Sequence, residues 1–436
     1  MKSVRAYRYR WLILVSLMLL VLSVDLHWMA LAPVVRAADI FYHGQFDPSS
    51  FVNVDFLALV YLIVFVVMSI PASFFIEKFG ITVSLRIAAA MVVVGSIGKW
   101  LYAADFASVI GFQILLAFAR PLIFNGITTV TMRWFPLRDR GFASGMVAFS
   151  QYLALGLVMV FSPLFVGTDF GAGDYGTGID GMMQVYGIVC AAMALVAGLL
   201  IREQPPTPAS FEPAVSLNFW SSYKNMFRNR SLLGLLAVFS FGWGYFINLA
   251  IKIDGVGALV GIEDSNALLG VVLFSGGIAG ALAIPAISDR VRRRRRIMVV
   301  CGIGAICGGL SLTFPSFFSF WVLSPQVVAF VGAGILGFFL MGAGPLGLQY
   351  AAELSRPVPE TATQSLFSAC SSFVCVFMVL FATVGGGAYL RLELLLIHFL
   401  AVGGVFLLSA IKESPTIVTE DERLQAAVKK EIVHLE

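Results

Sequence analysis

Asp25, His27 and Trp28 stand close together inside the apolar run 11–35, and Arg120 stands inside another, 107–132. A charge in hydrocarbon is expensive, so each must face a partner, a cavity or a ligand. Asp25 can neutralise a cationic solute or exchange a proton. Arg120 can hold a carboxylate or phosphate with its planar fork. The two can also pair and hold the bundle together, which leaves a neutral site suited to a zwitterion or a weak cation. Trp28 reads as a core aromatic or as a π face that attracts an organic ammonium by about 0.5–2 kcal/mol. His27 reads as a hydrogen-bonded polar residue or as a proton relay.

The elements that must position these groups are long apolar helices. Hydrophobic residues make up 59% of the 436 residues and charged residues only 12%, against roughly 25% charged in soluble domains. A spanning helix needs about 20 apolar residues. Twelve runs qualify: 11–35, 54–76, 82–103, 107–132, 142–166, 182–201, 232–253, 265–287, 297–314, 327–351, 362–386 and 392–411. The expected fold is an all-α membrane protein of twelve transmembrane helices in two six-helix halves. The halves are 1–201 and 232–411, joined by a linker at 202–231 and followed by a tail at 412–436 that reads as a surface helix or a disordered segment.

Basic residues gather in alternate loops, including Arg10, Lys78, Arg133, Arg228, the run Arg292 to Arg296, and Lys429. The intervening loops carry mainly acids, such as Asp47, Asp105, Asp174 and Glu263. This asymmetry places both termini and the linker in the cytoplasm of a cell (plasma or inner) membrane. The arginine run marks topology beside lipid headgroups rather than a nucleic-acid site. The five cysteines fall inside apolar runs and read as small core residues. No Walker-type loop, hydrolytic nucleophile motif or metal-ligand cluster stands out, so neither an enzyme nor a cofactor is expected.

Pro71-Ala-Ser-Phe-Phe-Ile-Glu77-Lys78-Phe-Gly80 carries the end of the second run into the loop before the third, and Pro285-Ala-Ile-Ser-Asp289-Arg290 carries the end of the eighth into the loop before the ninth. An acid near a helix end followed by basic residues, at corresponding places in two halves, resembles the loop motif of the major facilitator superfamily. That resemblance implies gating roles for Glu77, Asp289 and Arg290, by ion pairs made in one state and released in another. Other stretches resemble the feline leukaemia virus subgroup C receptor family: Val54-Asp-Phe-Leu-Ala-Leu-Val-Tyr61, Gly98-Lys99-Trp100, Ala119-Arg-Pro-Leu-Ile-Phe-Asn125, and Gly337-Phe-Phe-Leu-Met-Gly-Ala-Gly-Pro345-Leu-Gly347-Leu-Gln-Tyr-Ala-Ala-Glu353.

The second resemblance implies movement of choline and ethanolamine, with heme export also attributed to that family. Its choline site is an aromatic cage with a Trp in the first span, a Tyr in the seventh, and glutamines in the fifth and eleventh. The Trp carries over to Trp28, and the fifth-span Gln falls on Gln151 or Tyr152. Trp243, Tyr245 and Asn248 are the seventh-span candidates. The eleventh-span Gln falls near Ser372, Arg120 replaces a Gln, and Gln349 stands where the family has Glu. Lys252 and Asp254 are expected at the outer rim as a gate pair or as snorkelling charges, and Lys99 is expected to snorkel likewise. The expected activity is secondary transport of a small choline- or ethanolamine-like amine by a monomer in the bilayer, through alternating access. The alternative is a proton-coupled organic anion or zwitterion transporter using Asp25 and Arg120. Heme export and a non-transporting receptor are lesser alternatives.

Overall fold

A computed structural model describes residues 7–46, 52–167, 173–207, 219–262, 268–291, 293–319, 324–355, 358, 360–383 and 389–413. Backbone polar groups in hydrocarbon must be satisfied within their own segment, which favours helices. Among the described residues every long element is a helix. The first span is made of α1 (Tyr9–Trp28) and α2 (Val35–Phe41). Then come α3 (Val54–Phe79), α4 (Ile81–Leu101), α5 (Phe106–Trp134), α6 (Leu137–Phe165) and α7 (Ile179–Leu200). After α8 (Phe219–Arg228) the chain continues with α9 (Arg230–Ile251), α10 (Ile253–Leu259), α11 (Leu268–Val291), α12 (Arg294–Thr313) and α13 (Pro315–Phe318). It ends with α14 (Pro325–Ser355), α15 (Glu360–Thr383) and α16 (Leu390–Ala410). Among the described residues, twelve helical segments are long and apolar enough to cross a membrane, one for each expected run. The tail beyond Glu413 lies outside the described residues.

The outer faces are apolar: Leu164, Leu199, Phe399 and Phe406 are each more than 70% exposed. Such residues in number would drive aggregation in water, and they suit contact with lipid. Helix starts follow sequence signals. The Asp105 carboxylate accepts the Ser108 N–H at 3.1 Å and caps α5. Gly80, at φ +86°, turns the chain between α3 and α4.

Close helix contacts rest on glycine. A Cβ on Gly337 of α14 would stand 1.9 Å from the Leu273 carbonyl oxygen of α11, and one on Gly280 would stand 1.8 Å from the Phe338 oxygen. The halves meet where α3 packs on α15 and α6 on α11. One apolar core runs through both, with Val24, Tyr61 and Leu155 on one side and Phe246, Leu273 and Met341 on the other.

The first run does not form one continuous helix. Regular α-helix stops at Trp28, a 3-10 turn follows at Ala32–Val34 with Pro33 in its first turn, and α2 resumes at Val35. Pro33 cannot donate to a preceding carbonyl, which favours the break. The seventh span is interrupted in the corresponding place, between Ile251 and Ile253.

Candidate functional site

A break inside a membrane leaves carbonyls without helical partners, and buried side chains supply them. Lys99 Nζ of α4 and Gln113 Nε2 of α5 reach the His27 carbonyl at 3.5 and 3.4 Å. Ser162 Oγ donates to the Ala30 carbonyl at 2.7 Å. Lys99 therefore does not snorkel. It is 1% exposed, donates to Gln113 Oε1 at 2.6 Å, and sets its amine donor at the C-terminal end of α1, where carbonyls lack helical partners. A cavity of about 10 Å³ adjoins, lined among others by His27, Asp55, Lys99 and Gln113. Neither His27 ring nitrogen has a hydrogen-bond partner among the described residues.

One turn before the break, Asp25 meets Arg120. Arg120 Nε donates to Asp25 Oδ1 at 2.9 Å, with both side chains buried. Gln151 of α6 lies beside the same carboxylate. The Arg120 guanidinium carbon stands 4.1 Å from the Trp28 ring centroid, 4.5 Å from that of Phe124 and 5.4 Å from that of Phe65. Trp28 is held in place by Nε1 donating to the Ala58 carbonyl at 2.9 Å and by stacking on Tyr61 at 6.1 Å. The site is thus an aromatic cage closed around the protein's own cation, with one carboxylate as counter-ion.

Beyond the cage, Tyr152 of α6 faces Trp243 of α9 across the two halves, with ring centroids 6.3 Å apart. Gly344 of α14 lies against both rings. Tyr245 turns elsewhere, edge-on to His398 of α16 at 5.9 Å. Asn248 Nδ2 donates to Glu393 Oε1 at 3.1 Å. Ser372 is buried in α15, whereas Gln349 is exposed on α14. Rotation about the helix axis explains these outcomes: residues two apart, such as Trp243 and Tyr245, point in widely different directions.

At the end of the bundle opposite Tyr7 and Glu413, charges join the halves. Arg36 Nε of α2 donates to both Asp254 oxygens at 3.0 Å, and Lys252 Nζ pairs with Asp55 of α3. Lys252 and Asp254, expected as a pair or as snorkelling charges, each hold a partner in the other half. At the opposite end Glu77 and Arg290 are exposed, and the Asp289 side chain lies outside the described residues. A neighbouring acid does the visible pairing there: Glu203 binds Arg133 and accepts the N–H groups of Ile81 and Thr82 at 3.2 and 2.8 Å.

Sequence reasoning missed Phe65, Phe124, Gln113 and Glu393. The last two carried a readable signal, a polar side chain inside an apolar run. The two phenylalanines carried none, because they resemble every other apolar residue in their helices. Of the free cysteines, Cys190, Cys301 and Cys375 are buried as expected, Cys370 is partly buried, and Cys307 is exposed.

Comparisons with known proteins agree with this architecture. The family model described as Major Facilitator Superfamily matches residues 10–382. Solute carrier family 49 member A3 of Danio rerio is 27% identical over 375 residues, 83% of this chain and 75% of that protein. The choline/ethanolamine transporter flvcr2a of Danio rerio is 23% identical over 419 residues, 90% of this chain and 86% of that protein. The crystal structure of a D-xylose–proton symporter superposes with a TM-score of 0.72 at 14% identity, over 94% of this chain and 99% of that one. Twelve apolar helices in two halves, a buried charge pair at the broken first span and a family match over most of the length lead to one assignment: this chain belongs to the Major Facilitator Superfamily and is an integral membrane transporter, not an enzyme.

Proposed function

We propose that the chain moves a small choline- or ethanolamine-like amine by alternating access, as a monomer in the cell membrane. The units 1–201 and 232–411 rock about a shared midplane site, with 202–231 as their cytoplasmic linker and both termini cytoplasmic. The ion pairs Arg36–Asp254 and Lys252–Asp55 then form the outer gate.

The observation that carries this reading is the cage. Trp28, Phe65 and Phe124 surround a guanidinium in a desolvated setting, and the same faces suit a substrate ammonium. Arg120 is a tethered stand-in for that cation. An incoming amine displaces it from Trp28 and inherits Asp25 as counter-ion. The names of relatives such as flvcr2a support the amine class.

Counterflow of labelled choline and ethanolamine in proteoliposomes tests the reading. Trp28→Ala should cut flux at least about tenfold, the equivalent of ~1.4 kcal/mol, with membrane expression unchanged. Wild-type flux from that variant would refute the cage.

A second reading, a proton-coupled organic anion or zwitterion transporter, draws on one detail. Arg120 engages Asp25 through Nε alone among the described hydrogen bonds, which leaves both terminal nitrogens for a carboxylate. Acidification of the vesicle lumen on adding an anionic solute would favour it over the first.

A further inference from the structure

The C-terminal half holds a second polar cluster, away from the cage and with no role in it. Glu393 of α16 is 3% exposed, Asn248 of α9 is 0%, and Tyr245 and His398 are 4% each. Only one hydrogen bond is made between these side chains, Asn248 Nδ2 to Glu393 Oε1 at 3.1 Å. Glu393 Oε2, Asn248 Oδ1 and Tyr245 Oη are buried without a hydrogen-bond partner among the described residues, and His398 Nε2 lies against Gly309. Buried polar atoms are normally paired, so a group of unmatched ones calls for an explanation. Two of them, the Glu393 and Asn248 oxygens, can only accept while Glu393 is ionised. A carboxyl proton supplies the missing donor.

The cluster also touches the gate. Lys252 follows Asn248 by one helical turn, its N–H donating to the Asn248 carbonyl at 2.9 Å. Lys252 Nζ pairs with Asp55 in the other half, and the same ammonium is an electrostatic partner of Glu393. One lysine thus answers to two carboxylates, one in each half.

We propose that Glu393 is a proton-binding site that sets the outer gate. Protonation of Glu393 by water-borne acid leaves Lys252 committed to Asp55, which closes that end. Loss of the proton restores a carboxylate that draws Lys252 back into its own half and loosens the halves. The other charged or titratable groups facing this site are few. Tyr245 comes from α9, Lys252 from the residue after it, Cys375 from α15 and His398 from α16 itself, while Arg391 is exposed and turned to the Leu259 carbonyl. Asp254 of α10 is already held by Arg36, and Asp39 of α2 lies near Lys252. The proposal rests on alternating access but on no particular substrate.

The test is substrate-free. Spin labels on H43C in the first outer loop and F317C on α13 report the separation of the halves at this end, in full-length protein with Cys307 and Cys370 changed to Ser. In the wild-type background, raising the pH at constant sodium should shift the distances from short to long. Glu393→Gln, which mimics the protonated acid, should lose that shift and stay short. Glu393→Asp, as a control for folding, should keep it. Lys252→Met should lose the pH response while Glu393 is still present. A shift that persists in Glu393→Gln, or that is reproduced by sodium at constant pH, overturns the proton site and leaves alternating access standing. A single distance at every pH in every variant overturns both.

Discussion

Removing either charge of the Asp25–Arg120 pair should destabilise the protein, and by unequal amounts. Losing one partner of a buried ion pair costs about 3–5 kcal/mol, because the other charge is left uncompensated. Arg120→Ala strands Asp25, which is fully buried and is left with the neutral Gln151 side chain beside it, so the full figure applies. Asp25→Ala strands a guanidinium that keeps Trp28 at 4.1 Å and Phe124 at 4.5 Å. Desolvated cation–π contact offsets about 2 kcal/mol, which leaves a cost of roughly 1–3 kcal/mol after subtraction from the full figure. The double variant removes both charges and should recover stability relative to Arg120→Ala. Apparent melting temperature in detergent, followed by size-exclusion fluorescence, should rank wild type first, Asp25→Ala next and Arg120→Ala last. The double variant should lie above Arg120→Ala. Losses in the double variant equal to the sum of the two single losses would mean no coupling, and the pairing argument would fail.

Three further outcomes are expected. Lys99→Met keeps the volume but leaves Gln113 Oε1 without its donor and the His27 carbonyl with Gln113 Nε2 alone, at about 1–3 kcal/mol for an unmatched buried acceptor; a melting temperature equal to wild type would show that Lys99 does not cap the broken helix. Gly337→Ala should abolish monodisperse protein, since its Cβ would meet the Leu273 backbone oxygen at 1.9 Å, whereas Gly403→Ala, with nothing within 4 Å, should be tolerated. Burial pushes the Glu203 carboxyl up, but the Thr82 and Ile81 N–H groups and Arg133 outweigh it and hold it below its ordinary 4.5. A depressed carboxyl adds stability above its unfolded value and loses it as pH falls through the folded one, so wild type should lose melting temperature below about pH 4.5 and Glu203→Gln should lack that acid-dependent step.

The sequence by itself determined the twelve spans, because membrane insertion answers to a local sum of hydropathy over about 20 residues. It also singled out Asp25 and Arg120, since a charge within such a run must avoid lipid wherever the helices pack. Only the tertiary structure decided what those charges meet. Whether Arg120 faces Asp25, a cavity or solvent depends on the rotation and depth of each helix, which no run of apolar residues encodes. The cage wall made by Phe65 and Phe124 is invisible before packing, because an aromatic at a lipid face and one over a guanidinium look alike in sequence. Lys99 reversed its expected role for a related reason. Near the end of its own helix it had a short path to water, but the break after Trp28 in a different helix placed bare carbonyls beside it. Local composition fixes which segments enter the membrane; the partners of the few polar groups carried in with them are settled by contacts between helices far apart in the chain.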